Sequence, residues 1–465
     1  MDDKLLKLRS VLKTMPLNDN QINNILGIID TQNKEIYDTI TPLLEEYYSY
    51  GIERDYTNSS PNCIRIGNLD LHRSLPIQSK MRGCLLDDDG NVVEYLPEND
   101  WTTATRDGSK GQVMVEIPMH YRKFETKGTK HIVRLSEYPL SGYHQVPKMY
   151  VSAYEASIER SSGKLCSVVN YDVDYRGGNN NTEWDETYNS LLGRPVTNMN
   201  RTEFRLAARK RNIANTSWNC YLYHVHKALF WLYTIEYSNL NIQLDYTSKL
   251  TSNGFRQGGL GIGVSNMLDR DWNTFNKYNP FIPCGHTDIL GNGTGSIDYT
   301  IYNKDGSKLK TLNVPRYRGV ENPFGHIWKC TDGINVRISP TEANGGDNLS
   351  KVFVCEDTSK LNDTNYNGYK YVGNEARSDG YIKEIIFGEE GEIIPSFIES
   401  DSANDFCDYH ITNIHTIEKL TGVLFGGIAV HLLAGGIVSM SSHTPSFSYS
   451  YIGSRLCFIP EQNKN

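Results

Sequence analysis

Apolar positions at the start of the chain recur with a helical period. Leu5, Leu8 and Leu12 form a short stripe that ends at Pro16. Asn18 or Asp19 can cap a second helix, in which Ile22, Ile29, Ile36 and Leu43 recur every seven residues with Ile25, Leu26 and Ile40 beside them. A seven-residue apolar repeat is the pattern of a coiled-coil seam, and Ile at that position favours trimers. The repeat is short, Gln32 interrupts its companion position, and an amphipathic helix lying on its own chain has the same pattern. Residues 1–50 are therefore expected to be a helical attachment or oligomerisation segment, with a homotrimer as the state the seam implies.

From residue 51 the period shortens. Cys63-Ile64-Arg65-Ile66 and Val113-Met114-Val115-Glu116-Ile117 are strand-like runs, separated by turn signals at Asp89-Gly90-Asn91 and Lys127-Gly128. A β-rich collar domain over 51–147 is expected. Beyond it the patterns mix. Thr202–Arg211 and Tyr221–Leu240 have helical spacing, and the second places Leu222, Val225, Leu229, Leu232 and Ile235 on what is expected to be its core face. Arg176–Asn181, Gly254–Gly263 and Gly291–Gly295 are Gly/Asn-rich loops. Short strands with turns between Ser339 and Glu418 suggest an insertion near 339–418. No Pro/Ser-rich linker divides 148–465, which is taken as one large domain. The fold class is α+β, and a chain of 465 residues is too long for one compact core.

Composition narrows the function. A net charge of −8, without any Lys/Arg-rich run, argues against a nucleic-acid partner. The 30 tyrosines against 14 phenylalanines, with abundant Asn, Ser and Gly, suit surfaces that bind through aromatic rings with a polar edge. They also suit any loop-rich β protein. Nine scattered cysteines with no C-x-x-C pair point to buried free thiols rather than a disulfide framework or a zinc cluster. The N-terminus does not have the pattern of a signal peptide. Leu420–Met440 is largely apolar, and no Asp, Glu, Lys or Arg occurs from Thr421 through Ser454. Its length suits a membrane span, but Gly426-Gly427, Gly435-Gly436 and His431 argue for strands and turns, so no membrane insertion is expected.

Four stretches, in order over about 310 residues, carry a family resemblance. Met149-Tyr150-Val151-Ser152-Ala153-Tyr154-Glu155, Pro195-Val196-Thr197-Asn198-Met199-Asn200-Arg201, Asn322-Pro323-Phe324-Gly325-His326-Ile327-Trp328-Lys329-Cys330-Thr331-Asp332-Gly333 and the closing Gly426-Gly427 with Ile452-Gly453-Ser454-Arg455-Leu456-Cys457-Phe458 resemble the formylglycine-generating-enzyme superfamily, a variant of the C-type lectin fold. Within it, the tail is most similar to target proteins of diversity-generating retroelements, whose variable region runs from a Gly-Gly through an Ala-Gly to a terminal Ile-Gly-x-Arg-Leu-Cys-Phe; Gly426-Gly427, Ala434-Gly435 and Ile452–Phe458 fall at those places. The whole pattern is also similar to proteins of Bacteroides phages and prophages. The resemblance implies a large C-type-lectin-like domain over 148–465, on a virion head- or tail-fibre protein that attaches to a host. Its partners would be other virion proteins and a bacterial surface glycan or protein, and its location the virion surface after synthesis in the bacterial cytoplasm.

The residues of the tail support that expectation on their own terms. Between Ile428 and Tyr451 there is no Asp, Glu, Lys, Arg, Asn, Gln or Trp. Asn codons randomised at their adenines would leave such a set, since they reach Ser, Thr, His, Tyr, Phe, Ile, Val, Leu and Pro but never Lys, Glu, Gln or Trp. The expected contact residues are Ile428, Val430, His431, Leu432, Ser439, Ser441, Ser442, His443, Thr444, Phe447, Tyr449 and Tyr451, acting by aromatic stacking and hydroxyl hydrogen bonds. The plainer alternative is that Val423–Val438 are buried strands and Ser439–Ser450 an ordinary loop.

Candidate chemistry is thin. The superfamily's enzyme oxidises a substrate cysteine with paired cysteines. Here Cys330 stands where Trp is usual, Cys457 resembles a structural cysteine, and neither has a second cysteine near it in sequence. His224 and His226 on a helix point about 200° apart and cannot share a metal. Cys284 and His286 lack an oxyanion partner. Asp87-Asp88-Asp89-Gly90-Asn91 lacks the bidentate Glu of a calcium loop, and Gly258–Gly263 lacks the lysine of a phosphate loop. No catalytic residue, metal or cofactor is assigned, and a binding protein is expected. A purely structural decoration or fibre protein, a formylglycine-generating-enzyme-like oxidase and a bacterial surface adhesin are the rivals.

Overall fold

The computed structural model describes residues 10–18, 20–22, 24–25, 34–188, 190–265, 281–429 and 433–461, with the side chains of 34–39 and 433 left aside. Helix α1 (Lys34–Tyr48) leads directly into the strand Ser49–Asp55. Ile22, at one end of the seven-residue repeat, is turned onto Leu12, Met15 and Leu140 of its own chain. Leu43 and Tyr47 are exposed. Ile29 lies outside the described residues, as does the side chain of Ile36.

Ser49–Asp55 is the second strand of an antiparallel five-stranded sheet in the order 64–67, 49–55, 130–136, 120–127, 144–146. A second sheet has six strands in the order 218–220, 456–458, 149–152, 112–117, 82–86, 92–95. Gln112–Ile117 is buried along its whole length, as a central strand covered on both faces must be. Strands from either side of residue 147 thus share one sheet, so the boundary expected there is not a break between separate sheets. The largest sheet is built on an antiparallel pair, Trp328–Ile338 with Lys419–Ile428. Because Ile338 pairs with Lys419, residues 339–418 leave and return at the same end of that pair. In between they add the strands 350–354, 370–374, 380–385, 395–398 and 409–411 to the sheet. The architecture is mixed α and β, with strand predominating.

Three further helices are described: α2 (Leu69–Ser74), α3 (Arg201–Arg209) and α4 (Tyr223–Tyr237). A capping box starts α3: the Asn200 side chain accepts from the Glu203 N–H, and the Glu203 carboxylate accepts from the Asn200 N–H at 2.8 Å. Helix α4 corrects the expectation of one core face, since all its residues are buried. The segment 339–418 and the five-stranded sheet cover what would have been its solvent side. Trp231 Nε1 donates to Gly391 O at 2.8 Å, the Tyr223 hydroxyl donates to Glu392 at 2.6 Å, and the Phe124 ring lies 5.7 Å from that of Trp231. Its two charged side chains that would otherwise face water are paired: Lys227 with Glu392 at 2.9 Å, and Glu236 with Arg318 at 2.6 Å.

The four stretches singled out in the sequence meet around the last strand. Phe458 pairs with Tyr150 and Cys457 with Val151, and Ile452 pairs in parallel with Trp328. Ala156 N–H donates to Ser454 O, and Val196 N–H to Ala156 O. The fully buried Arg455 guanidinium donates to the carbonyls of Ser152, Glu321 and Asn322. Nearby, the buried Glu155 carboxylate accepts from the His326 ring at 2.6 Å and sits 2.9 Å from Lys329 Nζ. Burial pulls the Glu155 carboxyl upward, but Lys329 and His326 outweigh it and hold the group down to about 2.

Replacing Arg455 with Met keeps the length but leaves buried carbonyls unpaired. Arg455→Met should lower the unfolding free energy by about 3 kcal/mol or more, read from urea denaturation midpoints; a loss below about 1 kcal/mol would remove the guanidinium from its role as the clasp of the last strand.

Candidate functional site

The uncharged run forms strands. Lys419–Ile428 and Leu433–Met440 pair antiparallel, with Gly427 opposite Ala434. Among the described residues no helix is long and apolar enough to cross a membrane. After Met440 the chain leaves the sheet as a loop and returns at Ile452. Backbone bonds fasten this loop along its length. Gly422 N–H donates to His443 O at 3.0 Å and Arg201 N–H to Pro445 O at 3.1 Å; Trp328 N–H donates to Tyr451 O at 2.9 Å. Asn198, held at φ +62°, donates its N–H to Tyr449 O at 3.0 Å and to Ile452 O at 3.2 Å. Asn is one of the few non-glycine residues that takes the left-handed conformation at low cost.

With its backbone held from behind, the loop carries a row of four rings. His443 and Phe447 are stacked, centroids 3.6 Å apart and planes within 12°. Phe447 and Tyr449 are near-parallel at 6.3 Å, and Tyr449 meets Tyr451 at 4.5 Å and 42°. Tyr449 is 50% exposed. His443, Phe447 and Tyr451 are half-buried, as is Ser442, and Thr444 is exposed. Burial, with His415 nearby, lowers the His443 pKa, so the ring is neutral and stacks as an aromatic. The row thus offers polarisable rings and hydroxyls with no formal charge. Such a surface binds by shape, stacking and hydrogen bonds.

Three expected contact residues are corrected. Ile428, Ser439 and Ser441 are buried: the strands that carry Ile428 and Ser439 lie inside the largest sheet, and Ser441, just past the strand end, is held by Ile411 and Glu375. Ser439 Oγ is 3.0 Å from His410 Nδ1, and Ser441 Oγ donates to Glu375 at 2.7 Å. Val430, His431 and Leu432 lie outside the described residues. The structure therefore brings together His443, Thr444, Phe447, Tyr449 and Tyr451, with Ser442 at the edge. Ser446 is exposed beside them and bonded to Thr444 at 2.9 Å; it belongs to the same uncharged run and was not singled out. Asn198 and Arg201, which hold the loop from behind, were read only as fold markers. Their motif signalled a fixed backbone, and nothing in it signalled which segment that backbone would hold.

The other candidate chemistry is dispersed. His226 shares a hydrogen bond with the Tyr221 hydroxyl at 3.0 Å and lies on Phe425, and no cluster suited to a metal occurs among the described residues. Cys284 Sγ donates to Glu155 O, while His286 Nε2 bonds Asp298 O at 3.0 Å, so thiol and imidazole do not engage. Burial pushes the Cys330 and Cys457 thiols up to about 12, which keeps them protonated and unreactive. Asp88, in the acidic turn, pairs with Lys164 and Arg211 at 2.8 and 2.7 Å. A scan against protein-family models finds no match to the chain, and a search of curated proteins finds none either.

Burial pushes the Glu375 carboxyl from 4.5 up to about 8, against the hydrogen bonds from Ser441 and Thr412, and Asp408 from 3.8 up to about 7. In that window the folded chain keeps protons that the unfolded chain has released. Stability is therefore full below the ordinary carboxyl range and falls as pH rises toward about 8. Glu375→Gln should flatten this fall by up to about 1.4 kcal/mol per pH unit, measured as unfolding free energy from pH 5 to 8. An unchanged slope would mean that Glu375 is ionised in the fold.

Proposed function

We propose that this chain is a binding protein of a bacteriophage particle that meets a bacterial surface ligand, glycan or protein, through the row His443–Phe447–Tyr449–Tyr451. The observation that carries the reading is the row itself: aromatic, uncharged, accessible at Tyr449, and mounted on a loop whose backbone is tied to three other segments of the chain. Side chains on so fixed a backbone lose little further freedom on contact, which favours binding.

The virion assignment, and a C-type-lectin-like domain within the mixed α and β architecture, rest on the resemblance to diversity-generating-retroelement targets. In its favour, the four stretches that carry the resemblance come together around the terminal strand. In this reading the N-terminal segment attaches the protein to other virion proteins and assembles it as a homotrimer. Leu43 and Tyr47, one helical turn apart and 64% and 65% exposed, offer apolar area for that contact. Several copies on one particle would turn weak single contacts into avidity. The protein works by binding rather than catalysis and uses no cofactor.

Tyr449→Ala and Phe447→Ala should each weaken binding of the purified protein to host cells by about thirtyfold, the size expected of an interface hot spot. Ile213→Ala, at a residue 90% exposed elsewhere, should leave it unchanged. Host binding that survives both ring deletions would sink the assignment and favour a decoration protein that only contacts its neighbours on the particle.

A further inference from the structure

A second site is built into another part of the molecule, and none of its lining residues falls between 428 and 451. It is a cleft of about 800 Å³ bounded by the strands 120–127 and 144–146, the start of α4, the loop around Glu356 and the chain at 459–461. That volume is in the range of small-molecule sites. One wall is apolar and includes Met149 and Ile459; the other is polar.

The polar wall is incompletely satisfied. The Arg122 side chain is only 9% exposed, yet the nearest carboxylates to its guanidinium are Glu390 at 3.5 Å and Glu356 at 3.9 Å. Both are longer than a charge-assisted hydrogen bond, and Arg122 Nε has no partner. His224 is buried at the same wall with Nδ1 unpartnered. Burial lowers its pKa to about 4, so it faces the cleft as a neutral ring. A buried guanidinium without a close anion is unfavourable unless something completes it. Lys227 does not compete for the role, being satisfied by Glu392 at 2.9 Å. The lining also has an acidic side. Glu356 is 60% exposed and reaches its cations only at 3.9 and 4.0 Å, and Glu461 lies at the rim. A simple anion would be repelled by these carboxylates, and a simple cation by Arg122.

We propose that the cleft binds a small peptidic zwitterion, an amino acid or a peptide of a few residues with both termini free. Its carboxylate is received by Arg122 and His224, its ammonium by Glu356 and Glu461, and its carbon skeleton by the Met149–Ile459 wall. Arg122 lacks a close anion, His224 lines the same wall, and Glu356 and Glu461 keep exposed charges that such a ligand fills.

The test is calorimetric titration of the full chain with trialanine, trialanine amide and N-acetyl-trialanine. Trialanine should bind, and removing either terminal charge should weaken it at least about tenfold, as expected for loss of a charged hydrogen bond. Arg122→Gln should weaken trialanine by a similar factor. Glu356→Gln, a change at an exposed side chain that does not threaten folding, should weaken trialanine while leaving the N-acetyl form unaffected. The proposal is overturned if trialanine does not bind, if the amide binds equally well, or if Glu356→Gln fails to separate the two peptides.

Discussion

A buried guanidinium closes this fold. Its two terminal nitrogens, on Arg455, donate to the carbonyls of Ser152 and of the adjacent pair Glu321-Asn322, two points far apart in sequence. Directional bonds of this kind fix register as well as proximity. They seat Leu456–Phe458 between the strands 149–152 and 218–220, and they bring Ile452 beside Trp328. Once that strand is seated, the end point of the loop before it is set. The aromatic row stands where it does because the chain behind it cannot shift.

A second junction ties the inserted segment to the same region. Arg201 pairs with Asp363 at 2.6 Å and bonds Asn335 at 2.6 Å, while its backbone N–H holds Pro445. Arg205 joins Asp332 and Asp363 from one turn further along α3. Buried ion pairs add little net stability, since desolvation offsets their attraction. What they add here is position: α3, the insertion and the loop meet at one residue, Arg201. The insertion is therefore no free appendage. It also covers α4, which is why the sequence of that helix misleads. Its polar residues marked a solvent face by pattern, yet Lys227 and Glu236 find buried partners in distant segments.

Much of the local structure could be read in the residues. Helix α3 was bounded to within two residues by its spacing, and α4 to within three. The change of pattern at 339–418 falls where Ile338 and Lys419 pair. The aromatic row was legible because every residue in the run lacks charge. What could not be read was depth. Ser439 and Ser441 belong to the same uncharged set as Ser442, but the cover over the sheet places them inside, bonded to His410 and Glu375. A serine gives no sign in sequence of which face it takes. The cleft of Arg122 and His224 was equally hidden, because its members are about a hundred residues apart and belong to no motif.

The absence of charge along the aromatic row bears on how an encounter there would proceed. Surfaces rich in lysine or glutamate draw partners in over a Debye length, and that attraction fades as salt rises. Rings and hydroxyls exert no such reach. Capture by the row itself would depend on collision in the right orientation, leaving any salt dependence of the rate to the net charge of −8 on the chain as a whole. A surface of this kind engages by fit at contact rather than by attraction at a distance.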